Sequence, residues 1–138
     1  SESVSHQDKN DTRIQQRRET LRQFSAAWNA GDVDGLLSVM GDNPVYRGST
    51  GHGPGSVFEG HDEVRAALET MVRGNTADAD NAAPEPEMYI FEDRALVFWT
   101  LELTDQSGQR RAVDGVDVFT FTDDGRIAIK DAYRKAFA

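Results

Sequence analysis

Asp117 carries the clearest chemical potential in the chain. It lies in 112–122, a run of Val, Phe and Thr that reads as a strand, and side chains along a strand alternate between faces. Val113, Gly115, Asp117, Phe119 and Phe121 therefore share one face. A carboxylate among apolar neighbours loses hydration, which disfavours its charged form, raises its pKa and suits it to proton transfer near neutral pH. Alternation alone equally allows a carboxylate that hydrogen-bonds across the sheet. Tyr46 offers a phenol that either donates a hydrogen bond beside Asp117 or packs under the next loop with its hydroxyl in water. In the last strand, alternation groups Asp131 with Ile127, Ile129 and Tyr133, as a second acid or as an exposed ion-pair partner. Trp28 and Trp99 supply aromatic area for a flat ligand or simply for the core. His52 is a candidate gate or acid, or an exposed loop histidine without a role.

The elements that must position these groups follow from periodicity. Residues 1–11 are almost wholly polar and read as a flexible tail ahead of a single domain at 12–138. Ile14, Leu21, Phe24 and Trp28 form one stripe of a helix over 12–30, which Gly31 stops. Asp32 caps a short second helix that buries Val33, Leu36, Leu37 and Met40 before Gly41 and Pro44 end it. A strand is expected at 45–47, followed by a loop rich in glycine at 48–55. Asp62 and Glu63 suit the first turn of a third helix whose apolar face is Val64, Leu68, Met71 and Val72. Residues 75–87 read as a mobile linker. Runs at 88–91, 95–104, 110–122 and 127–137, separated by EDR, DQSG and DDGR, describe a four-strand antiparallel meander. Helices followed by a meander make an α+β domain.

Composition narrows the partners. Fifteen Lys and Arg against twenty-four Asp and Glu give a net charge of −9, a field that repels nucleic acid. There is no cysteine, and the three histidines at 6, 52 and 61 are too scattered for an imidazole metal site, so no metal is expected. Without a long apolar run or a signal-like segment, the chain reads as cytoplasmic, with no membrane partner.

The element order, with FSAAWNAGDVDGLLSVM at 24–40, FEGHDEVRAAL at 58–68 and GVDVFTFTDDGRIAIKDAYRK at 115–135, resembles the nuclear transport factor 2-like superfamily, and within it the SnoaL-like group of polyketide cyclase-like and ketosteroid isomerase-like domains. The resemblance implies a cone-shaped, curved antiparallel sheet wrapped around three N-terminal helices, with a deep pocket whose chemistry comes from acids among aromatic residues. It puts Asp117 where ketosteroid isomerase holds the protonated aspartate of its oxyanion hole. Phe24 stands where that enzyme has a tyrosine, and Gly48 falls near its general base, which disfavours steroid isomerisation. The histidine of SnoaL-type cyclases is missing near Leu103. The family register turns Ala132 and Arg134 inward and leaves Asp131 outside, whereas alternation turns Asp131 inward, and a bulge would reverse either answer.

The resemblance thus implies cofactor-independent acid/base chemistry of cyclase, isomerase or dehydratase type on an apolar carbonyl compound, with Asp117, Tyr46 and Asp131 as the catalytic candidates. The alternatives are a non-catalytic protein holding a small hydrophobic ligand and an epoxide hydrolase-like enzyme, which needs two linked acids with an arginine between them. Phe24, Trp28, Gly48, His52, Trp99, Phe119 and Tyr133 are the candidate ligand-lining residues. The family also implies a homodimer through the outer sheet face, where Ala112, Val116 and Val118 lie opposite Asp117.

Overall fold

The structure, a computed structural model, describes residues 6–51, 53–77 and 85–136. Helix α1 (His6–Ala30) starts at His6 rather than at residue 12. Nothing between 6 and 12 breaks a helix, so the packed part propagates outward at one hydrogen bond per residue. Its inward side changes character along its length: Leu21, Phe24 and Ala27 are buried, but so are Arg17 and Thr20 one turn earlier. Gly31 ends α1 with a φ of 71°, a left-handed angle that suits a residue without Cβ. Asp32 then caps α2 (Val33–Ser38), its carboxylate accepting the Gly35 amide at 2.9 Å.

Helix α2 stops at Ser38, so Met40 does not belong to it as its periodicity suggests. Met40 instead opens strand β1 (Met40–Arg47). This strand pairs in parallel with β6 (Ile127–Arg134), and β2 (Val57–Glu59) adds to its other edge in antiparallel sense. The parallel pairing has no local signal, because β6 lies more than eighty residues from β1 in the chain. Helix α3 (Gly60–Met71) carries Asp62 and Glu63 in its first turn, and Glu63 accepts the Glu59 amide at 3.1 Å. Its buried side is Val64, Ala67 and Leu68, continued by Val72, while Met71 is 51% exposed and not part of the packed face expected for it.

Strands β3 (Glu87–Phe91), β4 (Arg94–Thr104), β5 (Arg110–Phe121) and β6 form the antiparallel meander. The complete sheet has six strands in the order β2-β1-β6-β5-β4-β3 and is mixed, because β1 runs parallel to β6. The helices cover one face, and the core between them joins Leu21, Phe24, Leu36, Val64 and Leu68 to Met40, Ala95, Phe119, Phe121 and Ile127. Among the described residues no helix is long and apolar enough to cross a membrane.

Candidate functional site

Strands β5 and β6 build the site through their register. Asp117 lies opposite Ala132 and Phe119 opposite Lys130, so all four share the helix-covered face, with Lys130 diagonal to Asp117. The register shifts between Thr120 and Phe121, whose partners are Ile129 and Ile127, leaving Ala128 as the extra residue of a bulge. Before the bulge Ile127 is inward, and after it the inward residues are Lys130, Ala132 and Arg134. That shift decides the chemistry of the site. A cation enters it, and Asp131 leaves it.

Lys130 is 4% exposed, and its Nζ donates to Oδ1 of Asp117 at 3.3 Å. The same ammonium lies 4.8 Å from the ring centroid of Trp28, on α1, and 4.7 Å from that of Tyr46, on β1. Both distances are within cation–π range. Tyr46 is Lys130's neighbour in the parallel β1–β6 register, and Phe58 of β2 packs against its ring. Phe24 meets Phe119 edge-on at 5.5 Å and Trp28 at 6.0 Å, which closes the apolar wall on the helix side.

Burial pushes the Lys130 ammonium below the usual lysine range, and the neighbouring Asp117 opposes that shift. Burial, and then the Asp117 charge, push the Tyr46 phenol upward. An amine, a carboxylate and a phenol thus converge in a site from which most water is excluded. They can donate a hydrogen bond to a carbonyl oxygen, move a proton and stabilise an oxyanion.

Of the residues singled out in the sequence, Asp117, Tyr46, Phe24, Trp28 and Phe119 come together here. Trp99 lies one pleat away on the same face, opposite Gly115. A Cβ at 115 would collide with its indole, which is why the small residue is needed there. Asp131 and Tyr133 lie on the other face of the sheet. Asp131 accepts from Arg47 at 3.4 Å and from the Tyr133 hydroxyl at 3.3 Å. Gly48 borders a cavity of about 660 Å³ beside the glycine-rich loop, whose walls include Phe98, Val116, Asp131 and Tyr133 but not Asp117 or Lys130. His52 lies outside the described residues. Alternation counted from Ile127 turns Lys130 outward, so strict alternation misses it. The signal that finds it is the family register, since the parity that turns Ala132 and Arg134 inward turns Lys130 inward as well.

Residues 21–129 match the family described as SnoaL-like domain. The chain belongs to that family. No curated protein matches this SnoaL-like chain. Its fold is shared with solved structures. One is a nuclear transport factor 2-like protein of unknown function from Burkholderia pseudomallei, 22% identical over 87% of this chain and 91% of that one, with a TM-score of 0.66. A second is SalBIII, an epoxide hydrolase/cyclase-like enzyme of pyran ring formation in the polyether salinomycin, 23% identical over 88% of this chain and 92% of that one, with a TM-score of 0.65. A third is TerC, co-crystallised with polyporic acid, 23% identical over 87% of this chain and 92% of that one, with a TM-score of 0.64. At these identities the likeness is one of fold.

Proposed function

We propose that this protein is a cofactor-independent acid/base enzyme, of cyclase, isomerase or dehydratase type, acting on a small, mostly apolar carbonyl compound at the helix-covered face of the sheet. The observation that carries the reading is the buried Lys130–Asp117 pair inside an aromatic enclosure. Removing a proton next to a carbonyl puts negative charge on its oxygen, and an ammonium in a dry site stabilises that charge far more than water-exposed groups do. The carboxylate beside it is the base. Phe24 has no donor to offer, and Lys130 with Tyr46 supplies the donors that this position lacks. The solved relatives SalBIII, an epoxide hydrolase/cyclase-like enzyme, and TerC, co-crystallised with polyporic acid, support a small organic molecule as the occupant.

A second reading is a binding protein in which the pair only orients a hydrophobic ligand. Gly48, standing where a general base is expected, favours it. The epoxide hydrolase alternative is disfavoured, because Asp131, the second acid it needs, faces away from Asp117 and pairs with Arg47. We also propose a homodimer through the outer sheet face, where Tyr89, Phe91, Phe98 and Tyr133 are exposed. Sedimentation showing a monomer at tens of micromolar would remove that interface.

The test of function is exchange of the carbon-bound hydrogens next to a carbonyl. A panel of cyclic and aromatic ketones is incubated with the protein in D2O, and deuterium uptake is followed by mass spectrometry. Uptake that depends on the wild-type protein and collapses in Asp117→Asn is expected for the enzyme. Retained binding without uptake selects the binding protein.

A further inference from the structure

We infer that Lys130 engages the substrate carbonyl covalently, as an amine that forms an iminium link with a ketone or aldehyde. The inference rests on the proposed reading of this site and deepens it, by naming how the carbonyl is activated. Lys130 differs from the other lysines of the chain, Lys9 and Lys135, which are exposed. Its Nζ meets one carboxylate and two ring faces. Desolvation favours the neutral amine, the nucleophilic form.

The neighbours match what each stage of imine chemistry requires. Asp117, hydrogen-bonded to Nζ, accepts the proton that the ammonium must lose before its lone pair can attack the carbonyl carbon. The N–C bond forms as the C=O π bond opens, and the oxygen takes up the proton that the now positive nitrogen gives up, which leaves a neutral carbinolamine. Asp117 returns its proton to the carbinolamine hydroxyl, the C–O bond breaks, and water leaves. The balance is ammonium plus carbonyl going to protonated imine plus water, with charge conserved and no oxidant or reductant involved. The positive charge remains at nitrogen between the rings of Trp28 and Tyr46, whose negative faces stabilise it. The iminium withdraws electrons from the adjacent carbon, and Asp117, now a carboxylate, is beside it to take the C–H proton. Hydrolysis of the link regenerates Lys130. Trp28, over the amine, is partly exposed, whereas Lys130, Asp117, Tyr46 and Phe119 are buried.

Borohydride trapping tests the link. The full chain is incubated with butanone at neutral pH, sodium cyanoborohydride is added, and the alkylated lysine is located by peptide mass spectrometry. The adduct is expected at Lys130 as the dominant product over Lys135, since burial favours the neutral, nucleophilic amine there. Lys130→Arg keeps the cation opposite Asp117 and is expected to lose the adduct while keeping the thermal midpoint. Adducts confined to Lys9, Lys135 or the amino terminus overturn the inference. So does wild-type deuterium exchange without any trapped adduct, in which case proton transfer at this site stands and only the covalent step falls. Absence of both exchange and adduct overturns both.

Discussion

Two cations are buried against the β5–β6 hairpin, and they are met in different ways. Near its turn, Arg17 of α1 lies over the ring of Phe121 and donates to backbone carbonyls of Arg13, Thr122 and Asp123 and to the Gln16 side chain. Thr20 and Gln16 also donate to the Gly125 carbonyl, so this stretch of helix clamps the turn. Toward the middle of the hairpin, Lys130 meets a carboxylate and two aromatic faces. Arg17 is always charged and presents several donors in a fixed fork, which suits it to satisfying carbonyls that have no strand partner. Lys130 is a single amine whose protonation responds to burial, and its partner can accept a proton. The first arrangement holds a turn, and the second holds reactive groups.

The largest expected effect separates the pair from ordinary packing. Asp117→Ala leaves Lys130 as a buried charge without its acid and is expected to cost about 3–5 kcal/mol in urea unfolding. Asp117→Leu combined with Lys130→Met is expected to recover most of that loss while losing turnover. A double variant no more stable than Asp117→Ala alone would mean that the pair is needed by the fold rather than by the chemistry.

Arg17→Met is expected to cost about 1.5–3 kcal/mol, the usual range for charged hydrogen bonds. Amide exchange should rise at residues 122–125 while deuterium uptake into substrate stays unchanged. A fall in uptake without loss of stability would contradict a purely structural role for Arg17.

Tyr46 gives the pH dependence. Its folded pKa is raised above the unfolded value of 10, so the folded state keeps the proton after the unfolded chain has lost it. Its stabilising contribution is full below that value and is lost as pH rises beyond it, by about 1.4 kcal/mol one pH unit higher. Lys130, with a lowered folded pKa, acts in the opposite sense as pH rises toward 10.5. Comparing Tyr46→Phe with the wild type isolates the tyrosine part, and an identical alkaline decline in both proteins would refute it.

The smallest effect belongs to the outer face. Arg47→Ala breaks a partly exposed pair with Asp131 and is expected to change stability by about 0–1 kcal/mol, with no effect on substrate exchange. A large loss of exchange would bring Asp131 back among the catalytic candidates.

Local patterning by itself determined most of the scaffold. The α1 stripe, the Asp32 cap, the acids opening α3 and the hairpins joining β3 to β6 all depend on residues close in sequence, and so does the face that Asp117 shares with Phe119 and Phe121. Tertiary structure decided the rest. A strand at 45–47 is legible locally, but its start at Met40 and its parallel pairing with β6 are not, and that pairing carries Tyr46 to Lys130. The bulge at Ala128 exchanges Asp131 for Lys130 on the inner face, and a rule of strict alternation has no means of seeing one extra residue. Packing of α1 then brings Trp28 over the amine. Spacing along a strand sets side-chain parity only until pairing inserts a bulge, and only the folded sheet records where that happens.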